Sequence, residues 1–306
     1  MTPGRRAELV ARDSCIACRS KNLRELSSGG FDEEPLRSFI AHAPWGESPL
    51  PYLSGLRWSY VCCTDCTQAF HRYVLAPEWN EVRFSKWMSA EAIENFERAI
   101  QTPTRRFQHG RERTKHVLAL EVLTRPLRAG APVRVLDFGC GNGEFLAACA
   151  LYGFEVLGVD RSAARRGNAR VPVASSLEEI DGSFHAITLF EVLEHLDDPR
   201  TVVENLRERL VSGGVLILET PDATGVTHIT SRTDSDKIFP LDHINGFTPR
   251  TLRDFALRLG FESVPRPVAQ VNCDLARVLK TELRRVLQPF LPRTTQQYFR
   301  KHADAC

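Results

Sequence analysis

Apolar residues in this chain recur in short runs set off by glycine, proline and polar stretches. The period of each run predicts the element it forms. Val133, Val135 and Leu136 make a β-branched apolar run, which predicts a buried strand ending at Asp137. Residues 145–151 then read as a helix with an apolar face. Residues 154–160 and 184–191 read as strands that each end in an acid, with Val171 to Val173 as a short third strand between them. A Gly213–Gly214 turn leads into a fifth buried strand that stops at Pro221. Residues 248–260 carry strong helix signals: Thr248 as cap, Pro249 at the first position, an apolar face and Gly260 as the stop. Phe261 to Val264 reads as a sixth strand. Strands alternating with helices predict an α/β fold wound on both sides of a mainly parallel sheet.

Outside this alternation the pattern changes. Residues 89–100 predict a helix capped by Ser89 and closed by Pro103. A second helix follows over 108–127, with Val117, Leu118, Leu120 and Val122 apolar and Arg111, Arg113 and Lys115 solvated. Residues 222–246 are rich in Thr, Ser and Asp and show no period, which predicts a long loop at the carboxyl end of the fifth strand. Open α/β sheets bind ligands at that end, so Lys237, Asp242, His243 and Asn245 are expected to face a substrate. Near the C-terminus Leu275, Val278, Leu279, Leu283, Val286 and Leu287 sit at helical spacing, with Arg277, Lys280, Arg284 and Arg285 interleaved. Such a basic amphipathic segment packs on its own domain or lies on an anionic membrane surface. Residues 272–279 also fit a seventh strand.

At 306 residues the chain exceeds what one core needs. The boundaries predict a small module over 1–88, a helical bridge over 89–130, the main domain over 131–268 and the basic segment over 269–306. A net charge of +2 does not call for nucleic acid, and no DNA partner is expected. No apolar run reaches signal-peptide or membrane-span length, so a cytoplasmic protein is expected. Five of the nine cysteines fall within the first 66 residues. Cys15 pairs with Cys18 and Cys63 with Cys66 in two Cys-x-x-Cys turns, and Cys62 is left over. Two such turns supply four thiolates for a closed, tetrahedral Zn²⁺ site, which suits a reducing compartment. Reduced packing cysteines without a metal are the alternative.

The chemistry is most legible at Asp137-x-Gly139-x-Gly141-x-Gly143. A dinucleotide fingerprint, Gly-x-Gly-x-x-Gly, seats a pyrophosphate. Here the third glycine comes one residue early and an acid stands two residues before the first. A carboxylate there repels a pyrophosphate and suits a ligand carrying an ammonium or a sulfonium. The stretch resembles motif I of the class I S-adenosylmethionine-dependent methyltransferases. The resemblance implies a Rossmann-like fold and cofactor contacts from Asp137, Gly139, Gly141, Asn142, Gly143, Asp160, Arg161, Phe190 and Glu191. Asp160 is expected to accept from the ribose diol, or to cap the following helix. The paired cysteines resemble the N-terminal zinc-binding module found ahead of methyltransferase domains in some bacterial sugar C-methyltransferases.

Glu191-x-x-Glu194-His195 resembles the segment after the fourth strand in many small-molecule methyltransferases. In some relatives, including ubiquinone-pathway O-methyltransferases and RNA 3′-end methyltransferases, these three side chains hold a divalent metal. In many others the histidine only orders the loop. Mg²⁺ is the less favoured occupant here, because no fourth ligand is identifiable. His195 and His243 are the candidate general bases, with loop ordering and helix capping as their plainer roles. The implied reaction is in-line transfer of a methyl group to a small polar molecule, such as a saccharide or a secondary metabolite. An RNA or tRNA methyltransferase, a nicotinamide-dependent oxidoreductase and a non-catalytic scaffold on the same fold are the rivals. The acceptor atom and the oligomeric state stay open.

Overall fold

The computed structural model describes residues 6–100, 102–128, 130–267, 279–280, 282–283, 286–287 and 294–302. In chain order its strands are β1 Leu9–Ala11, β2 Leu23–Gly30, β3 Arg57–Cys63, β4 Ala69–His71, β5 Tyr73–Leu75, β6 Arg134–Phe138, β7 Glu155–Val159, β8 Val173–Ala174, β9 Phe184–Phe190, β10 Leu210–Glu219, β11 Asn245–Gly246, β12 Phe261–Val264 and β13 Gln296–Lys301. The helices are α1 Leu36–Ala41, α2 Leu50–Leu53, α3 Pro77–Val82, α4 Ala90–Ile100, α5 Pro103–Thr124, α6 Glu144–Leu151, α7 Ala163–Gly167, α8 Pro199–Glu208, α9 Arg232–Ile238 and α10 Pro249–Arg258. The chain divides into two compact units. One takes residues 1–100, 191–202 and 220–258; the other takes 101–190, 203–219 and 259–306.

The second unit holds a seven-stranded sheet in the order β12-β13-β10-β9-β6-β7-β8. β6 to β10 run parallel, and β13 is antiparallel to both β10 and β12. Val135, Leu136, Ala186, Ile187 and Val215 to Leu218 have no exposed surface, as parallel strands covered on both faces require. On one face, Val117 and Leu120 of α5 and Phe145 and Leu146 of α6 pack with Val135 and Ile217 of the sheet. Strand order reverses between β6 and β9, so the carboxyl ends of these neighbours flank the crevice where such sheets take ligands. This is the Rossmann-like, doubly wound α/β architecture the pattern predicts.

The first unit is built on a four-stranded antiparallel sheet in the order β11-β4-β3-β2, with β1 and β5 as a separate ribbon. Trp58, Tyr60, Trp79 and Trp87 are buried in its core, and Ile238 and Leu241 join them from far along the chain. The edge strand β11 is only two residues long, and its glycine is obligatory. The Tyr60 hydroxyl lies 2.0 Å from where a Cβ on Gly246 would stand.

Several expectations are corrected. Pro103 opens α5 instead of closing α4: Thr102 accepts from the Arg105 N–H at 3.2 Å, and proline at the first helical position has no N–H to waste. The stretch 222–246 is not a plain loop. It contains α9, started by a capping box between Ser231 and Asp234, and then β11. The antiparallel strand of the main sheet is β13, later than the 272–279 stretch, of which 272–278 lie outside the described residues. Of the basic C-terminal segment, Leu275, Arg277, Val278, Arg284 and Arg285 also lie outside them. Leu279, Leu283 and Val286 are exposed. Among the described residues, no helix is long and apolar enough to cross a membrane.

Candidate functional site

In the sheet unit, the turn after β6 places all three glycines at positive φ: 78° at Gly139, 57° at Gly141 and 68° at Gly143. At Gly143 space is decisive as well, since a Cβ would meet Val171 Cγ2 at 2.5 Å. Four N–H groups of the turn are spent internally. Gly139 and Cys140 donate to the Val159 carbonyl at 2.7 and 3.0 Å, and Gly143 donates to Cys140 at 3.0 Å. Gly141 donates to Asp160 Oδ2 at 2.8 Å. Those four donors are therefore not offered to a pyrophosphate.

Asp137 is buried and accepts from Thr188 Oγ1 at 2.6 Å. Burial pushes its carboxyl up to about 7, against the opposing pull of the Thr188 hydrogen bond. A buried carboxylate with one partner is relieved by a cationic ligand. Asp160 also accepts from the Ser162 N–H at 2.8 Å. Each of its oxygens keeps a lone pair for a ribose hydroxyl. Asn142 and Arg161 border this turn and the start of α7. These residues fit S-adenosylmethionine: an acid for its ammonium and an acid for its ribose.

The same carboxyl edge carries a group that the sequence does not announce. His116 of α5 packs against Phe190, ring centroids 4.6 Å apart, and Phe190 packs edge-on against Phe145 at 5.1 Å. Gln296 Nε2 donates to Glu219 and, at 3.2 Å, to His116 Nε2. Burial pushes His116 down to about 4, so it is a neutral imidazole. A helix histidine, a strand-end acid and a glutamine from a strand 180 residues later share no local signal.

In the other unit, the four cysteines of the two turns converge. Cys15 Sγ lies 3.5 Å from Cys66 Sγ, and Cys18 Sγ lies 3.6 Å from Cys63 Sγ. All four sulfurs lie within 4.8 Å of one another. The contact with Cys66 draws the Cys15 thiol well below the usual thiol range, while Cys66 itself is driven far up. Four such sulfurs cannot all ionise without a cation among them, which is the donor set Zn²⁺ takes. Cys62 turns away, toward the Cys63 carbonyl.

The same unit gathers Glu194, His195, Asp242 and His243. One ligand atom each from Glu194, His195 and His243 lies within 4.8 Å of the others. Exposed Glu191, at φ 54°, stands outside that group. His195 Nδ1 is 3.0 Å from both the carboxylate and the backbone oxygen of Asp242. His243 Nδ1 is held by the Asp236 carbonyl at 2.6 Å. With both Nδ1 atoms engaged, the two Nε2 atoms are the ones available for chemistry. Glu194 is fully buried, and neither carboxylate oxygen has a hydrogen-bond partner among the described residues. Burial lifts it well above the usual carboxylate range. Burial also opposes the charge on His195, but the Asp242 carboxylate prevails and raises it to about 9. Arg83 lies 3.5 Å from Asp242 and donates to the Leu241 carbonyl. Asn245, expected to face a substrate, is instead buried, because its amide is consumed by the backbone around His195.

Comparison with known proteins bears on the family and the fold. Curated relatives include the ubiquinone biosynthesis O-methyltransferase of Psychrobacter arcticus, 27% identical over 150 residues that cover 42% of this chain and 58% of the relative. The enzyme of the same description from Pseudomonas aeruginosa is 30% identical over 143 residues, covering 42% of this chain and 59% of the relative. The chain thus spans little more than half of these relatives. Among solved structures, the plantazolicin methyltransferase BamL, in complex with a triazolic desmethylPZN analog and SAH, is similar over 73% of this chain and 94% of its own. At 14% identity and a TM-score of 0.50, that likeness is one of fold. The family described as methyltransferase domain matches residues 85–265, which is more than half of the chain and includes the glycine turn and the Glu194–His195 segment. The chain therefore belongs to the methyltransferase domain family and has the class I fold of S-adenosylmethionine-dependent enzymes.

Proposed function

We propose that this protein transfers the methyl group of S-adenosylmethionine to a hydroxyl oxygen of a small polar acceptor, with His195 as the general base. The observation that carries the reading is the His195–Asp242 contact at 3.0 Å, with the buried carboxylate of Glu194, which no hydrogen bond among the described residues satisfies, 3.8 Å from His195 Nε2. Asp137 and Asp160 hold the cofactor through its ammonium and its ribose. The sulfonium is already activated, so alignment supplies most of the acceleration, up to roughly 7–11 kcal/mol. A hydroxyl must also lose its proton, and a placed base contributes about 10²–10⁴-fold. Asp242 fixes His195 so that Nε2 receives that proton. The named activity of the curated relatives, O-methylation, supports an oxygen acceptor.

The fit of a divalent cation rests on the same orphaned carboxylate. As the alternative to a base, with Nε2 of His195 binding the ion instead of a proton, Glu194, His195 and His243 would hold Mg²⁺ or Mn²⁺, and Asp242 would orient the histidine from behind. When bound, such an ion polarises the acceptor oxygen. In the cysteine module the fit is to structural Zn²⁺, with no open position for chemistry.

The test is a methyl-transfer assay on a panel of hydroxylated small molecules, run from pH 6 to 10 with and without a divalent-ion chelator. The free base of His195 appears as pH rises through about 9, so the rate climbs across that range. Asp242→Asn removes the partner that raises His195. Burial then dominates, and the rise moves to the acid side of 6.5. A flat profile in both proteins would sink the base. Loss of activity on chelation would transfer the role to a bound ion.

A further inference from the structure

The turn that carries Glu194 and His195 is three residues long, Leu193–His195, and has no side-chain cap. So short a 3₁₀ turn has little stability of its own. Its shape is imposed from outside. The Asn245 amide donates to the Leu193 carbonyl at 2.8 Å and to the Leu196 carbonyl at 2.7 Å, which brackets Glu194 and His195 on both sides. The orientation of that amide is fixed, because Asn245 Oδ1 accepts from Arg12 Nη1 at 2.8 Å and arginine has no acceptor to offer.

Arg12 is itself fully engaged. Nε donates to the His71 carbonyl at 3.0 Å, Nη2 to the Ile244 carbonyl at 3.0 Å, and Nη1 also to the Asp197 carbonyl at 3.2 Å. It stands three residues before Cys15. Immediately after Cys18, Arg19 pairs with Asp198 at 2.8 Å and donates to Thr201 at 3.2 Å. From the opposite direction, Arg200 donates to the carbonyl of Ala17, inside the knuckle, at 3.0 Å. The first cysteine knuckle therefore grips the residues that follow His195 through Arg19 and Ala17, and Arg12, three residues before the knuckle, holds both flanks of the turn through Asn245.

We propose that Asn245 is the positioning residue of the Glu194–His195 pair, with the first cysteine knuckle as its platform, so that the state of the four-cysteine site decides whether the pair is assembled. The functional meaning rests on the role given above to His195; the positioning itself does not. None of these contacts involves Asp137, Asp160 or the glycine turn, so assembly of the pair and cofactor binding are separable.

The experiment uses histidine-labelled full-length protein, with the His195 imidazole resonance assigned through His195→Gln. Asn245→Asp keeps the size and the acceptor toward Arg12 but removes both donors. The expected result is a displaced His195 resonance, a fall of at least tenfold in kcat for whichever acceptor turns over, one bound zinc, and affinity for S-adenosylhomocysteine within twofold of the parent by calorimetry. Reversible zinc removal from the parent protein is expected to displace the same resonance, and zinc return to restore it. A His195 resonance that stays in place in Asn245→Asp, with zinc and cofactor affinity intact, overturns the positioning role. A resonance indifferent to zinc removal overturns the platform. If Asn245→Asp does not fold, Arg12→Lys, which keeps the charge but removes the guanidinium that holds the Asn245 amide, is read in the same way, and Arg19→Ala, which removes the exposed contacts to Asp198 and Thr201, tests the platform by the same resonance. Arg72→Ala, whose partner Asp13 lies near the knuckle but outside the clamp, should leave the resonance unmoved. Displacement without any loss of methyl transfer would sustain the positioning and remove His195 from the chemistry.

Discussion

The glycine turn and the Glu194–His195 group differ in how far the chain must travel to build them. Asp137, Gly139, Gly141, Gly143 and Asp160 fall within 24 consecutive residues, and the hydrogen bonds that shape the turn join neighbours across β6 and β7. The second group takes Arg12, Arg83, His195, Asp242 and Asn245 from stretches up to 233 residues apart. The first is a local device whose spacing is its geometry. The second exists only once an antiparallel sheet has drawn β11 to β4. The lesson is that a cofactor seat can be written in one motif, whereas a reactive group gathered from many segments is written nowhere in particular.

The largest effect that would break this contrast is expected at His195. His195→Gln should lower kcat by about 10²–10⁴-fold, the usual contribution of a general base, while S-adenosylhomocysteine affinity stays near that of the parent. Turnover assays paired with calorimetry separate the two quantities. A comparable loss of cofactor affinity would mean that the two regions do not divide the work as described.

A somewhat smaller effect is expected at Gly143. A left-handed conformation costs an L-residue roughly 1–2 kcal/mol, and forcing a methyl into a packed contact adds roughly 1–3 kcal/mol. Gly143→Ala combines φ 68° with a 2.5 Å approach to Val171. It should shift the denaturation midpoint and weaken cofactor binding together. A stable variant with parental affinity would show that the turn tolerates a side chain, and that its motif is not the constraint it seems on spacing alone.

What was legible follows the same division. The strand into Asp137, the fourth strand and the Thr248–Pro249 helix start are all local signals, and the structure places them as the pattern predicts. The helix α9 was also written locally, as Ser231 and Asp234 three apart, but Thr, Ser and Asp around them masked it as loop. Strand β13 was hidden for a different reason. Gln296 and Gln297 look like surface residues, yet Gln296 is satisfied by Glu219 and Gln297 by the Thr294 carbonyl at 2.9 Å, so polar residues occupy a half-buried and a buried strand position. Asn245 reads as a substrate-facing polar residue until Arg12, at the far end of the chain, is seen to hold its amide.

The smallest effect sharpens the local half. Asp137 is buried, and its carboxyl is raised to about 7. The cofactor's ammonium favours the ionised form, so binding competes with protonation of this one group. Below about 7 the carboxyl of the free protein is mostly neutral, and cofactor affinity must fall as pH falls; above it the acid is already charged and affinity levels off. Between pH 8 and pH 6 the ionised fraction drops about tenfold, and affinity should follow by roughly that factor, about 1.4 kcal/mol. Calorimetric titration with S-adenosylhomocysteine across this range measures it directly. Asp137→Asn supplies the control, because it cannot ionise: its affinity should be low at every pH, and any slope it retains belongs to the ligand's own amine. Equal slopes in the two proteins would place the cofactor's charge away from Asp137, and the acid before the first glycine would then be a packing residue held by Thr188.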